Sequence, residues 1–317
     1  IGNNHNGSID LAKKLVDEAI KSGADCAKFQ MRDLNSLYMN SGNSSDADID
    51  LGTQYTLDLL SKMQLSDIEM IEIFDYCNAK GIIPLCTPWD IKSLSKLKKY
   101  GMLAYKISSA DFTNYELIEA IADIGKPIIC STGMSTEQEI LDGISLVQST
   151  GVPHVFLHCN STYPAPFKDV NLNYIRHLKK FSGSLVGYSG HERDINIAIA
   201  AVAVGAKIIE KHFTVDNLMQ GNDHKVSLMP EEFSNMVKGI RQVEEAMGIN
   251  VERVLSQGEM MNRENLAKSL VAAVNIPAGS IITEEMIDIK SPGQGLQPNK
   301  KEELLGCLLY TSDAADE

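Results

Sequence analysis

The chain of 317 residues is short of positive charge: 29 Lys and Arg stand against 42 Asp and Glu, a net charge of -13. That balance weighs against nucleic acid or an anionic membrane surface as a partner, although a local pocket can still be basic. No run of about 18 apolar residues is present, so no membrane-spanning helix is expected. The six cysteines (Cys26, Cys77, Cys86, Cys130, Cys159 and Cys307) include no CxxC pair. Core thiols in a reducing cytosol are therefore the expectation, rather than disulfides. No GxGxxG follows the first strand-like run, which weighs against a dinucleotide-binding fold. The opening Ile1-Gly2-Asn3-Asn4-His5 shows neither an initiating Met nor a signal peptide. The closing CLLYTSDAADE breaks the pattern before it. Both ends lead to the expectation of a gene fragment, with a first strand lying before Ile1 and residues 307–317 a non-native tail outside the fold.

What is present is alternation. A 44% hydrophobic content is enough for a large core. Helical periodicity predicts helices over 9–22 (Ser8 as cap), 66–80, 91–100, 114–124, 136–149 (Ser135 as cap), 172–181, 194–204 and 230–247. Short apolar runs predict strands at 26–30, 82–87, 103–108, 127–131, 154–159, 184–188 and 207–213. Seven strands, with the eighth expected before Ile1, make eight β/α units in about 250 residues, which points to a (β/α)8 TIM barrel over residues 1–248. The polar excursion at 31–65 is long for a compact domain and reads as a lid or site loop. After Gly248 the pattern changes: 249–268 reads as a linker, and 269–306 as a small, incomplete, mostly β domain with turns at Pro277-Ala278-Gly279 and Ser291-Pro292-Gly293.

In such barrels the site lies at the carboxyl ends of the strands, and here almost every strand end is polar. His191 and His212 follow neighbouring strands, where two neutral imidazoles can share a divalent metal. The same placement equally suits two structural histidines capping strands. Lys28 and Lys106 end otherwise apolar strands. With Ser109 and Ser131 they suit a phosphate or carboxylate cradle, unless either lysine pairs with an acid such as Asp111 or Glu210. Ser131-Thr132-Gly133-Met134 runs from strand to helix, where backbone N–H groups hold anions, though a plain N-cap reads the same way. His154 and His177 read as surface or loop residues, His158 as a satisfied core histidine, and Trp89 as packing.

The motifs IGNNHNGS, KFQ, CTPWD, YKISSAD, STGMST, LHCNSTYPAP, GYSGH, EKHFT and GNDHKVSLMPEEF follow in order along the chain, and SLVAAVNIPAGSIIT with SPGQGLQP closes it. Together they resemble the sialic acid synthase (N-acetylneuraminate synthase) family, including legionaminic and pseudaminic acid synthases. The resemblance covers nearly the whole chain. It implies a (β/α)8 barrel followed by an antifreeze-like (SAF) domain, in a domain-swapped homodimer in the cytoplasm. It also implies condensation of phosphoenolpyruvate with an N-acylated mannosamine-type sugar, releasing phosphate. By the same resemblance His191 and His212 hold Mn²⁺ (or Mg²⁺ or Co²⁺). Lys28, Lys106, Ser109, Ser131, Ser161 and Ser189 hold phosphoenolpyruvate, and Gln30, Tyr163 and Asp223 face the sugar.

Three positions depart from the family pattern. A Glu expected just before Ile1 is not in the sequence. Asp111 stands where some members carry a catalytic Glu, and Ser291 where some carry a sugar-contacting Arg, with Lys290 beside it. The expectation is that a parent protein with the first strand is active and the 317-residue chain is not. Two other readings suit parts of the pattern. A metal-dependent barrel hydrolase would use the histidines but not the Lys28/Lys106 pair, and a non-catalytic sugar-binding module would keep the mouth residues without metal.

Overall fold

A helix of the sequence IDLAKKLVDEAIK, Ile9–Lys21, shows how the layers form. Ser8 caps it by accepting from the Leu11 N–H, and Ala12, Leu15, Val16 and Ala19 recur at one face and are buried. The structure is a computed structural model that describes residues 1–37 and 60–311. Its contacts divide the chain after Gly248 into two compact units.

In the first unit β1 (Cys26–Met31) pairs in parallel with β2 (Ile83–Pro88). Strands β3 (Tyr105–Ile107), β4 (Ile128–Ser131), β5 (His154–Cys159), β6 (Leu185–Gly190) and β7 (Ile209–Lys211) form a second parallel sheet in chain order. Each neighbour in space is the next strand in sequence. A doubly wound sheet reverses that order at a switch point, so the winding is that of a half-barrel. On the open side of β1, Gly2 bridges Phe29 and donates to the Lys28 carbonyl at 3.2 Å. Across from β7, Glu210 reaches Lys28 at 3.7 Å.

The core fills with Phe29, Phe74, Phe112, Phe156, Tyr105 and Tyr188, all buried. Phe112 and Phe156 meet edge to face at 6.2 Å. Gly143 makes room for that ring, since a Cβ there would stand 2.8 Å from Phe112. Cys77, Cys86, Cys130 and Cys159 are buried free thiols, and Cys26 and Cys307 are exposed. Among the described residues no helix is long and apolar enough to cross a membrane.

Several boundaries differ from the sequence reading. The helix Glu137–Ser149 is capped by Thr136, not Ser135, because Thr136 and Glu139 form a reciprocal capping box at the spacing such a box requires. The helix Asn196–Val204 starts two residues late: the Asp194 carboxylate accepts from the N–H groups of Ile195 and Asn196 and forms a turn first. His154 opens β5, half-buried, and packs on Phe156 at 5.2 Å, so it is a strand residue rather than a loop one.

The second unit holds β8 (Ser269–Ala272) antiparallel to β9 (Ile287–Lys290). Two expectations are corrected there. The stretch read as a linker contains the helix Gln257–Leu266, started by a Ser256–Glu259 capping box. Residues read as a tail outside the fold belong to it in part. Cys307 accepts from the Ile282 N–H, Leu309 donates to the Ser280 carbonyl, and Ile281 bridges Leu308. The lid or site-loop reading of 31–65 falls largely on residues 38–59, outside the described residues.

Candidate active site

The anion-binding end is built on β3, β4 and the turns after them. Lys106 is buried, and its Nζ donates to Ser131 Oγ at 2.6 Å and to the Ile107 carbonyl at 2.8 Å. Burial pulls its pKa down from the ordinary lysine value, against the attraction of Glu210. Lys28, on β1, faces Glu210 Oε1 at 3.7 Å, and Ser189 Oγ donates to the same carboxylate at 3.0 Å. Burial works against the Glu210 charge, but Lys106 and Lys28 outweigh it and hold the carboxyl down at about 2. So the pairing alternative is realised for Lys28, while Lys106 meets a hydroxyl.

Ser109 and Ser161 come together around Gly133. The Gly133 N–H donates to Ser109 Oγ at 3.2 Å. A Cβ at Gly133 would stand 2.4 Å from Ser161 Oγ and 2.8 Å from Ser109 Oγ, so only glycine leaves both hydroxyls in place. The next residue, Met134, holds a left-handed φ of 59°, a strained backbone of the kind found at functional turns.

The imidazole end lies beside it. The rings of His191 and His212 are 5.3 Å apart, and Tyr163 lies 4.1 Å from His191 and 5.8 Å from His212. His191 Nδ1 bonds the Asn160 carbonyl at 2.6 Å, which leaves Nε2 as its acceptor. Burial would lower the His191 pKa, but Cys159 at 3.7 Å and the Asn160 carbonyl outweigh it and raise it. The Cys159 thiol is held low in turn, its burial offset by His191, Ser109 and Ser161. Burial keeps His212 well below the usual imidazole value, against the pull of Asp223. Its Nδ1 is buried without a hydrogen-bond partner, and Asp223 Oδ2 stands 3.6 Å away. Gly2 packs against both Asp223 and Gln30: a Cβ would stand 3.2 Å from Asp223 Oδ2 and 3.5 Å from Gln30 Nε2.

A divalent cation fits this end by the chemistry of its donors: two neutral-capable imidazoles, one with an orphaned buried nitrogen. Among the described residues no group of three or more His, Cys, Asp or Glu could hold a metal ion.

Of the residues singled out from sequence, Lys28, Lys106, Ser131 and Ser189 share contacts with or around Glu210. Ser109 and Ser161 converge on Gly133, and His191, His212 and Tyr163 stack together. Gln30 and Asp223 flank Gly2. Asp111, two residues on from Ser109, accepts from Ser108 Oγ at 2.7 Å and from Asn114 Nδ2 at 3.3 Å within its own turn, and it feels the charges of Asp90 and Arg32. Burial raises its pKa. His158 is a satisfied core residue, bonded to the Val170 carbonyl at 2.6 Å. His177 is exposed and pairs with Glu137.

Two members, Arg32 and Cys159, were not picked from sequence, and Glu210 was read only as a strand-end acid with which either lysine could pair. Glu210 shares a strand face with His212, two residues on, so period-two alternation was the signal. Arg32 continues the Lys28–Gln30 alternation; it bonds Gln30 and Asn3 and lies 4.6 Å over the Trp89 ring, so Trp89 does more than pack. Cys159, read as a core thiol, touches His191 and Ser161.

Residues 15–252 match the model of the NeuB family, and residues 267–311 match that of the SAF domain. The chain belongs to the NeuB family. Among its NeuB relatives, the N,N'-diacetyllegionaminic acid synthase of Campylobacter jejuni is 38% identical over 100% of this chain and 96% of its own. The human N-acetylneuraminate-9-phosphate synthase is 34% identical, over 92% of this chain and 81% of its own. A crystal structure of the N-acetylneuraminic acid synthetase of Leptospira borgpetersenii is similar at a TM-score of 0.75 and 32% identity, covering 84% of this chain and 90% of that one. Like these NeuB relatives, the chain is an enzyme, a transferase by family.

Proposed function

We propose that this enzyme condenses phosphoenolpyruvate with an N-acylated sugar aldehyde to give a nonulosonic acid and inorganic phosphate. One observation carries the reading. A buried ammonium, Lys106, lies against Ser131, with a second, Lys28, across Glu210, next to the paired imidazoles. A hydrolase has no need of two ammonium groups there.

In this reading Lys106 and Lys28 neutralise the phosphate and carboxylate of phosphoenolpyruvate, while Ser131, Ser109, Ser161 and the Gly133 turn fix their orientation. Ser189 and Glu210 hold Lys28 in place. Tyr163, Gln30 and Asp223 seat the sugar so that its aldehyde carbon faces the phosphoenolpyruvate methylene. The new C–C bond joins those two carbons, water adds to the carbon bearing the phosphate, and that C–O bond breaks as phosphate leaves. A divalent cation such as Mn²⁺, held by His191 and His212, would polarise the aldehyde oxygen as a Lewis acid.

The closed eight-stranded barrel belongs to the same proposal, supported by the Gly2–Phe29 bridge and the Lys28–Glu210 approach. So do the assignment of 1–248 to the synthase barrel, the domain-swapped homodimer and the cytoplasmic location. The acceptor is assigned by a panel: N-acetylmannosamine, its 6-phosphate and a 2,4-diacetamido-6-deoxy sugar, each assayed for phosphate release. Release with one of them identifies the acceptor. A folded, full-length protein silent with every sugar overturns the synthase reading.

A further inference from the structure

The ends of β6 and β7 carry two sets of side chains on opposite faces. Ser189 and Glu210, paired in register, bond each other on the site face. On the other face Lys211 Nζ donates to Glu192 Oε1 at 2.8 Å and to the Glu192 carbonyl at 2.6 Å. Tyr188 Oη donates to Glu192 Oε2 at 2.6 Å. The side chains of Lys211 and Glu192 are both 0% exposed. Gly190 provides the space, because a Cβ there would stand 2.8 Å from both Glu192 carboxylate oxygens and from the Tyr188 ring. Glu192 directly follows His191, and Lys211 directly precedes His212. One ion pair therefore ties the backbone carrying the first imidazole to the backbone carrying the second, through both a side-chain and a main-chain oxygen.

A fully desolvated ion pair is weak as a source of net stability, since apolar residues of similar volume often replace one without loss. Its value lies in direction. We propose that Glu192, Lys211 and Tyr188 are positioning residues that set the spacing and orientation of His191 and His212. The proposal rests on the reading of those two histidines as cation ligands. Groups behind metal-ligating histidines tune affinity in the same indirect way.

The test uses the full chain and Mn²⁺ alone, with free Mn²⁺ followed by electron paramagnetic resonance. The variant Glu192→Gln/Lys211→Met removes both charges together, so neither is left buried and unpaired. It is expected to stay folded by near-ultraviolet circular dichroism and to bind Mn²⁺ roughly 10- to 100-fold more weakly. Tyr188→Phe is expected to show a smaller loss in the same direction. In the metal-free protein, ¹⁵N-histidine spectra should show the ring resonances of His191 and His212 displaced in both variants. A purely structural role would lower the melting temperature and leave the Mn²⁺ affinity of the folded protein and these resonances unchanged; that result overturns the proposal. If the double variant does not fold, Tyr188→Phe decides by the same readouts. If the unsubstituted chain binds no Mn²⁺ that His212→Ala removes, the cation reading itself falls. The metal-free spectra then decide on their own, and unmoved resonances overturn the positioning role.

Discussion

Glu210 and Lys211 are neighbours on one strand, yet their surroundings could hardly differ more. Glu210 stands in a partly open site among Lys28, Lys106 and Ser189, and its charge is held by two ammonium groups that a substrate anion can also claim. Lys211 is closed off from solvent and has its own dedicated carboxylate. The alternation of a strand separates the two by a single residue. Placing working charges on one face and locking charges on the other lets one short strand both present chemistry and hold it still.

The largest effect is expected on the locked face. Lys211→Met alone leaves Glu192 buried without its partner and should cost about 3–5 kcal/mol of unfolding free energy, measured by urea denaturation. On the working face, Lys106→Met should leave the unfolding midpoint near that of the parent. It should lower kcat/KM for phosphoenolpyruvate by roughly 10²- to 10³-fold, the scale of losing one preorganised electrostatic contact. If instead Lys106→Met unfolds the protein, the two faces do not divide the work as described.

A third test follows acid. The folded Glu210 carboxyl, at about 2, lies below its ordinary value of 4.5. A depressed carboxyl contributes stability that is fully present above the unfolded value and is lost as pH falls through the folded one. The stability difference between the parent and Glu210→Gln should therefore be constant above about pH 5 and shrink between 4.5 and 2. A difference that stays flat over that range contradicts the charge assignment. The smallest effect is away from the site: Thr136→Ala removes a helix cap and should cost about 1 kcal/mol, with kcat unchanged.

Much of the fold was legible because local signals agreed with one another. Apolar runs marked the strands, and the helices Ile91–Tyr100 and Pro230–Met247 fell on the expected residues. The helix Gln257–Leu266 escaped because it buries no residue and so shows no apolar stripe, although its Ser256–Glu259 box was written in the sequence. Cys307–Leu309 were set aside for unusual composition, but their contribution is backbone hydrogen bonding, which composition does not report. In the site, His191 and His212 were legible as polar residues just past apolar strands, while Lys28 and Lys106 were legible as charges in apolar runs but lie within β1 and β3 rather than at their ends. The meeting of Ser109 and Ser161 over Gly133 was not legible, because it depends on two irregular turns whose paths no periodicity describes. Asp111 was grouped with the site by resemblance; its hydrogen bonds lie within its own turn, and its charge faces Arg32.

The central claim is that the two ammonium groups and the two imidazoles serve one reaction. The most direct measurement is phosphate release from phosphoenolpyruvate by the full-length gene product, across the acceptor panel, with Mn²⁺ and after its removal by chelation. His212→Ala and Lys106→Met are assayed in parallel. The account predicts release that needs both an acceptor sugar and the metal, and that either substitution abolishes. Release that continues unchanged in His212→Ala, or that proceeds without any acceptor, would contradict it.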